Sequence, residues 1–475
     1  MSLEVATAEF IAREEQSGAQ RIAVILGWAI YVALLTLLIL TALAYGGADP
    51  WWKAFFTSLI FAIAIFAALE MMLTDTRSIA GLKVLLPILV LIVFSLLQTI
   101  QLPQSGGSTN GISYRLWNAI SADPYETRVF ALQLLGLAVL GALLFRYAAD
   151  ERRLRLLIQT IIGIALVSAV FGLVRQTAQH QDGFLLPALL REQGYGQFIN
   201  KNHFAYVMEV GLGLAVGLIA AGGVRRERVL VYVAGLLPIW TALVLANSRG
   251  GILAMLVQLV VTLLLFPIIG RPHQSDSVRA WRLLRSRAVR LILIFVLLIM
   301  VMVGVLWTGG DRLASNLEAA RIEFTESPQT SQGVTRLQIW SATISMIKAN
   351  PIFGVGMGGY WTAIPSYHVA SGSMTPQQAH NDYLEILASG GIVGLVIVGW
   401  FVIVVLKQAG RNLQSRDEFQ RATSFAAVIA ITGLAIHSIV DFGLHRMLNA
   451  MLFTALVVIA TSNVTGKSNH LRSHD

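Results

Sequence analysis

The chain contains no cysteine. That excludes disulfides, thiolate metal sites and a cysteine nucleophile. Charge is scarce too. Only 13% of the 475 residues are Asp, Glu, Lys or Arg, against about 25% in soluble domains. Neither a D-x-D nor an E-x-D pair occurs, and HExxH is missing, so no paired-carboxylate signature for a divalent metal is visible. A cleaved signal peptide does not fit the first twenty residues, which hold Glu4, Glu9, Glu14 and Glu15; the first apolar run reads as an uncleaved anchor. There is no clear internal repeat, low-complexity tract or soluble domain.

What fills the chain instead is apolar: 56% of residues, with a mean hydropathy of +0.68. Runs long enough to cross a ~30 Å hydrocarbon core as helices recur throughout. The reading is an all-α polytopic membrane protein of about twelve spans: 22–44, 54–73, 83–101, 128–147, 155–174, 204–222, 229–246, 251–269, 291–307, 384–406, 423–440 and 447–462. The pair flanking Asn247-Ser248-Arg249-Gly250-Gly251 reads either as two spans or as a re-entrant hairpin. With the N-terminus in the cytoplasm, 23 of the 35 Lys and Arg fall on the cytoplasmic side, as the positive-inside rule requires. Residues 1–21 are then a cytoplasmic segment and 22–462 one transmembrane domain, which includes a long, partly helical periplasmic loop, 308–383. A cytoplasmic tail, 463–475, follows. The net charge of +9 is mainly this topology signal. The basic run 271–290 fits a connector facing anionic lipid, and no nucleic-acid partner is expected.

The interval from Asp311 to Tyr383 is the only long polar stretch, and a connector that long points to chemistry at the membrane surface. It carries Arg321, Arg336, the turn GVGMGGY (354–360) and His380-Asn381-Asp382-Tyr383. Within it, TRLQIWSATISMIKANP reads as an amphipathic helix. Thr335 and Gln338 suit a capping box; Leu337, Trp340, Ile344 and Ile347 recur at helical spacing. Such a helix lies flat on the membrane or packs on the bundle. The glycines of the turn form an anion-binding nest or a plain tight turn.

Several ionisable groups converge on the outer face under this topology: Lys201, Asn202 and His203 before the sixth span, Arg249, Arg336, His380, and His437 with Asp441. At a helix start the macrodipole disfavours imidazolium, so a neutral His380 can act as a general base or serve a structural role. Arg249 and Arg336 can each donate paired hydrogen bonds to phosphate oxygens, or sit as a snorkelling interfacial residue and a solvated helix start. Asp441 can neutralise a cationic partner or cap a helix. Glu70 and Glu209 lie inside spans, where a carboxylate is costly. Glu209, two turns below His203, could line the same cavity; Glu70 suggests no role.

Four segments, NSRGGILAML, TRLQIWSATISMIKANPIFGVGMGGY, AHNDYLEILASGGIVGL and HSIVDFGL, resemble in order and spacing the bacterial O-antigen ligase and polysaccharide polymerase family. ISADPYETR and GQFINKNHFAYVMEVGLGLAVG are similar to that family's earlier outer-face segments. The resemblance implies a GT-C-like fold and a metal-independent, inverting glycosyl transfer from undecaprenyl diphosphate to an acceptor hydroxyl. No cofactor is expected. It implies His380 as base, Arg249 and Arg336 on the diphosphate with Lys201 adding a contact, and Asp441 as an acidic support. Asn381, His203, Asn202 and Arg321 are further candidates. The acceptor is a second glycan (polymerase), lipid A-core (ligase) or a protein hydroxyl; INKNHF, similar to exopolysaccharide members, favours the polymerase. The lipid bilayer and a chain-length regulator protein are candidate partners, the inner membrane the expected location, and the periplasm the expected side of the site. A transporter for the same lipid-linked glycan is the alternative of another class, but it calls for repeats and midplane charges.

Overall fold

The computed structural model describes residues 2–74, 81–101, 119–178, 194–269, 286, 336–367 and 376–463. Thirteen α-helices make up the described chain: α1 (Ser2–Leu43), α2 (Pro50–Thr74), α3 (Leu82–Leu97), α4 (Pro124–Tyr147), α5 (Glu151–Ala178), α6 (Lys201–Ala220), α7 (Arg226–Leu245), α8 (Arg249–Ile269), α9 (Arg336–Ala349), α10 (Tyr360–Ala363), α11 (Asp382–Leu413), α12 (Glu418–His437) and α13 (Met447–Thr461). Among the described residues, nine are long and apolar enough to cross a membrane, and α3 and α13 are shorter apolar helices. The chain is a multi-pass membrane protein. Eleven of the twelve expected spans coincide with a helix; 291–307 lies outside the described residues, as do Arg321 and Thr335. At 20 and 21 residues, α7 and α8 are each about 30 Å long, the length of a full crossing.

Local chemistry sets the helix starts. Asp123 accepts a hydrogen bond from the Glu126 amide at 3.0 Å, with Pro124 opening α4. Asn200 caps α6 through the Asn202 amide at 2.8 Å. Asn381 caps α11 through the Leu384 amide at 3.0 Å. α6 is the most enclosed span, packed by α5, α7, α8 and α12. Its glycines permit this: a Cβ on Gly217 would lie 2.5 Å from the Ala426 Cα, so α6 and α12 approach backbone to backbone, the small-residue packing of membrane helices.

Glu70, without a role in the sequence, is a lock at the end of the bundle away from Lys201 and His380. Its carboxylate accepts from Arg146 at 2.8 Å and from the Tyr147 hydroxyl at 2.9 Å. This ties α2 to α4 and satisfies a carboxylate that is mostly buried.

α9 differs from the simple stripe its spacing suggests. Ile339, Ala342, Thr343 and Met346 are buried, and Thr343 shares a 2.7 Å hydrogen bond with the Tyr360 hydroxyl. Leu337 and Ile344 face outward. The segment is apolar on two sides, and the protein takes the side with the smaller residues.

Candidate functional site

α11 is broken. Gly391 has φ 59 and ψ −161, and beyond it the amides of Ile392 and Val393 turn to the carbonyls of Pro351 and Ile352. The carbonyls of Ala388 and Ser389 accept from the Val355 and Gly356 amides at 3.0 and 2.9 Å. GVGMGGY is thus a tight turn that closes over the break. Gly356, at φ +98, has no room for a side chain: a Cβ would lie 2.2 Å from the Ser121 hydroxyl. Gln98 clamps the junction, donating to the Phe353 and Ser389 carbonyls and accepting from the Met357 amide. ISADPYETR buttresses the turn from below, through Ala122 to Val355 and Gly358 to Thr127.

The short half-helix 382–390 carries His380 on its leading edge. Trp340 of α9 donates to the Ala379 carbonyl at 3.0 Å, and the Ala379 amide donates to Glu385 at 2.8 Å. The Asp382 amide donates to the Ser438 carbonyl at 3.0 Å, docking the half-helix on the end of α12. Held on both sides, His380 adopts φ 50, a conformation that non-glycine residues rarely adopt without cause.

Here the imidazole meets Asp441: Nδ1 to Oδ1 is 3.5 Å, with the ring 32% exposed and the carboxylate fully buried. That separation is long for a hydrogen bond, so the contact is mainly electrostatic. Burial pushes the Asp441 carboxyl up, but His380 and the fields of His203 and His437 outweigh it and bring it down to about 2. Phe442 stands edge-on to both His380 (4.6 Å) and His203 (5.2 Å). His203 accepts at Nδ1 from Arg446 at 3.2 Å. Behind Asp441, the His437 Nε2 is 3.9 Å away, and the other nitrogen of that ring meets Glu209 at 2.6 Å.

Three expected phosphate ligands gather beside this pair. The Ser248 hydroxyl donates to the Asn202 side chain at 2.9 Å, which joins the start of α8 to the start of α6. Lys201 is within electrostatic reach of both Arg249 and Arg336. Among the described residues none of the three cations has a carboxylate partner within ion-pair distance, whereas Arg146, Arg153 and Arg155 elsewhere do. A trio of cations with no described carboxylate partner has the charge to attract an anion. The glycines after Arg249 serve packing: a Cβ on Gly250 would be 2.5 Å from the His437 ring, and one on Gly251 2.8 Å from Ala205.

Sequence reasoning missed His445, Arg446, Asp382 and Glu385. His445 Nε2 lies 3.2 Å from Glu385 and 3.7 Å from Asp382. Enclosure, with the fields of Lys53 and Arg446, holds this imidazole below its usual range even though a third of the ring surface is open. These side chains and Lys53 form the polar mouth of a cavity of about 300 Å³ whose other wall is apolar, reaching Phe145 and Val458. Along α13, from Arg446 to Val458, the cavity extends about 18 Å into the bundle.

Residues 233–399 match a family model described as O-antigen ligase. The match covers about a third of the chain and supports a place in the O-antigen ligase and polymerase family. The matched stretch holds Arg249, Arg336, His380 and the broken half of α11; Lys201, Glu209, His437 and Asp441 lie outside it. Comparison with curated proteins gave no match. That match supports a glycosyltransferase of the ligase or polymerase type, with a lipid-linked glycan and an acceptor in a membrane as substrates.

Proposed function

We propose that this protein is an inverting glycosyltransferase that moves a glycan from undecaprenyl diphosphate to an acceptor hydroxyl. It works at the periplasmic face of the inner membrane, as a surface polysaccharide polymerase. The observation that carries the reading is the juxtaposition of a partly exposed imidazole on a buried carboxylate with three cations that have no carboxylate partner among the described residues.

The chemistry follows from those groups. Lys201, Arg249 and Arg336 take the diphosphate of the donor. Neutral His380 removes the proton of the acceptor hydroxyl, and the oxygen attacks the anomeric carbon on the side opposite the diphosphate. The bond to the diphosphate breaks, inverting the carbon. Charge that builds on the leaving oxygen meets the cations. Charge that builds on His380 meets Asp441, whose carboxylate stays ionised. A positioned base contributes about 10²–10⁴-fold. The apolar cavity with its polar mouth suits the hydrocarbon chain of a lipid-linked substrate, which supports a bilayer-anchored reaction.

Purified protein in liposomes, given undecaprenyl-diphosphate-linked oligosaccharide, tests this. A ladder of chain lengths on undecaprenyl diphosphate supports polymerisation. A single addition to lipid A-core, or to a protein hydroxyl, moves the assignment to ligase or protein glycosyltransferase. Unchanged donor with each acceptor, or glycan moved across the membrane without transfer, contradicts it.

A further inference from the structure

Glu209 and His437 are a buried pair that the proposed reaction does not use. Their 2.6 Å contact is among the shortest in the molecule, and both side chains are at most 1% exposed. The second nitrogen of His437 faces Asp441 at 3.9 Å. Among the described residues, His437 Nε2, the Glu209 Oε2 and both Asp441 oxygens have no hydrogen-bond partner, which is costly in a membrane interior.

We propose that Glu209 and His437 are positioning residues: they share one proton and present a single imidazole N–H to Asp441, which restrains that carboxylate's hold on His380. This rests on the assignment of His380 as the base. Proton count fixes the arrangement. Asp441 is an acceptor, so the nitrogen facing it must carry hydrogen to be stable there. The other nitrogen then shares a proton with Glu209, on either side of the short bond, and the pair as a whole is neutral. About 1 Å of side-chain movement brings the Nε2–H to hydrogen-bond distance from Asp441. A carboxylate that also accepts from His437 attracts a proton on His380 less strongly than a bare one. His380 is thereby kept free to accept the proton of a hydroxyl.

The surroundings fix the ring for this role. Tyr206 stacks on it at 4.1 Å and 12°, and Gly250 of α8 fits against its edge. The titratable groups that face it are Tyr206, Glu209 and His203 from α6, Asp382 from α11 and Asp441 beyond its own helix.

Diethyl pyrocarbonate acylates only neutral imidazole, so its rate at one histidine against pH reports that residue's protonation without any glycan substrate. Peptide mapping by mass reads position 380, with His445 as internal control. In Glu209→Leu/His437→Phe, where apolar groups of similar shape replace the pair, the midpoint at position 380 rises by about one pH unit, while position 445 is unmoved. His437→Gln retains an amide N–H for Asp441 and keeps the wild-type midpoint. If the double variant does not fold, Glu209→Gln/His437→Leu also removes the donor and gives the same rise. A midpoint at 380 unchanged in a donorless variant, or raised as far by His437→Gln, overturns the proposal. Neither result touches the glycan-transfer assay, so the two readings fail separately.

Discussion

The Nδ1 of His380 lies 3.5 Å from the Oδ1 of Asp441, a partly exposed imidazole against a fully buried carboxylate. The contact joins two segments about sixty residues apart, because the half-helix at 382–390 docks on the end of α12. Asp441→Asn keeps the shape and removes the charge. Transfer is expected to fall about 10²–10³-fold with donor KM unchanged, since the loss is of transition-state charge stabilisation. Steady-state rates on the purified variant check it; equal effects on KM and kcat would argue for a misplaced donor instead.

The pH dependence of stability has a definite sign. The folded Asp441 carboxyl is held at about 2, below the ordinary ~3.9. Its contribution, about 2 kcal/mol, is therefore present above pH ~4–5 and lost as pH falls from there towards 2. Thermal unfolding in detergent at pH 6 and pH 3 checks this. The wild type loses more than Asp441→Asn between the two, and the gap between them narrows on acidification.

In the proposed reaction Arg249 and Arg336 share the donor diphosphate with Lys201. Each charge-assisted phosphate contact is worth roughly 1.5–3 kcal/mol, so either Arg→Ala weakens donor binding about 10–100-fold. The double variant costs less than the product, because the cations repel one another when the site is empty. Arg→Lys restores charge but not the paired geometry, and recovers only part. Binding of undecaprenyl diphosphate, measured by thermal shift, reads the wild type and each variant.

Glu70→Gln lies at the opposite end of the bundle. It removes the charge that Arg146, 20% exposed, pairs with, and breaking a largely buried ion pair costs about 3 kcal/mol. The melting temperature falls, while transfer per folded molecule stays near wild type.

Gly356→Val tests the turn itself. A side chain there meets the Ser121 hydroxyl at a φ of +98, at a cost of about 2–4 kcal/mol. Since the turn closes over the break in α11, transfer falls together with stability, unlike the Glu70 variant.

The spans were legible because each is a continuous apolar run, and bilayer thickness fixes the length. The converging cations and His380 were legible because the spans alternate direction, which puts every second connector at one end. The break at Gly391 was not: SGGIVG continues the apolar period, and the partners that close it, Pro351 and Ile352, lie about forty residues upstream. Pairings such as Glu70 with Arg146 and Glu209 with His437 join residues 76 and 228 positions apart, beyond any local pattern. His445 and Arg446 belong to no recognisable motif. Only the fold places them over a cavity.

The most direct test of the account is release of undecaprenyl diphosphate from a lipid-linked oligosaccharide by wild type and His380→Ala, each inserted and folded, in the presence of acceptor. Acceptor-dependent release by the wild type is expected, with a loss of about 10²–10⁴-fold in the variant and donor binding intact. Release at the wild-type rate by His380→Ala would contradict it.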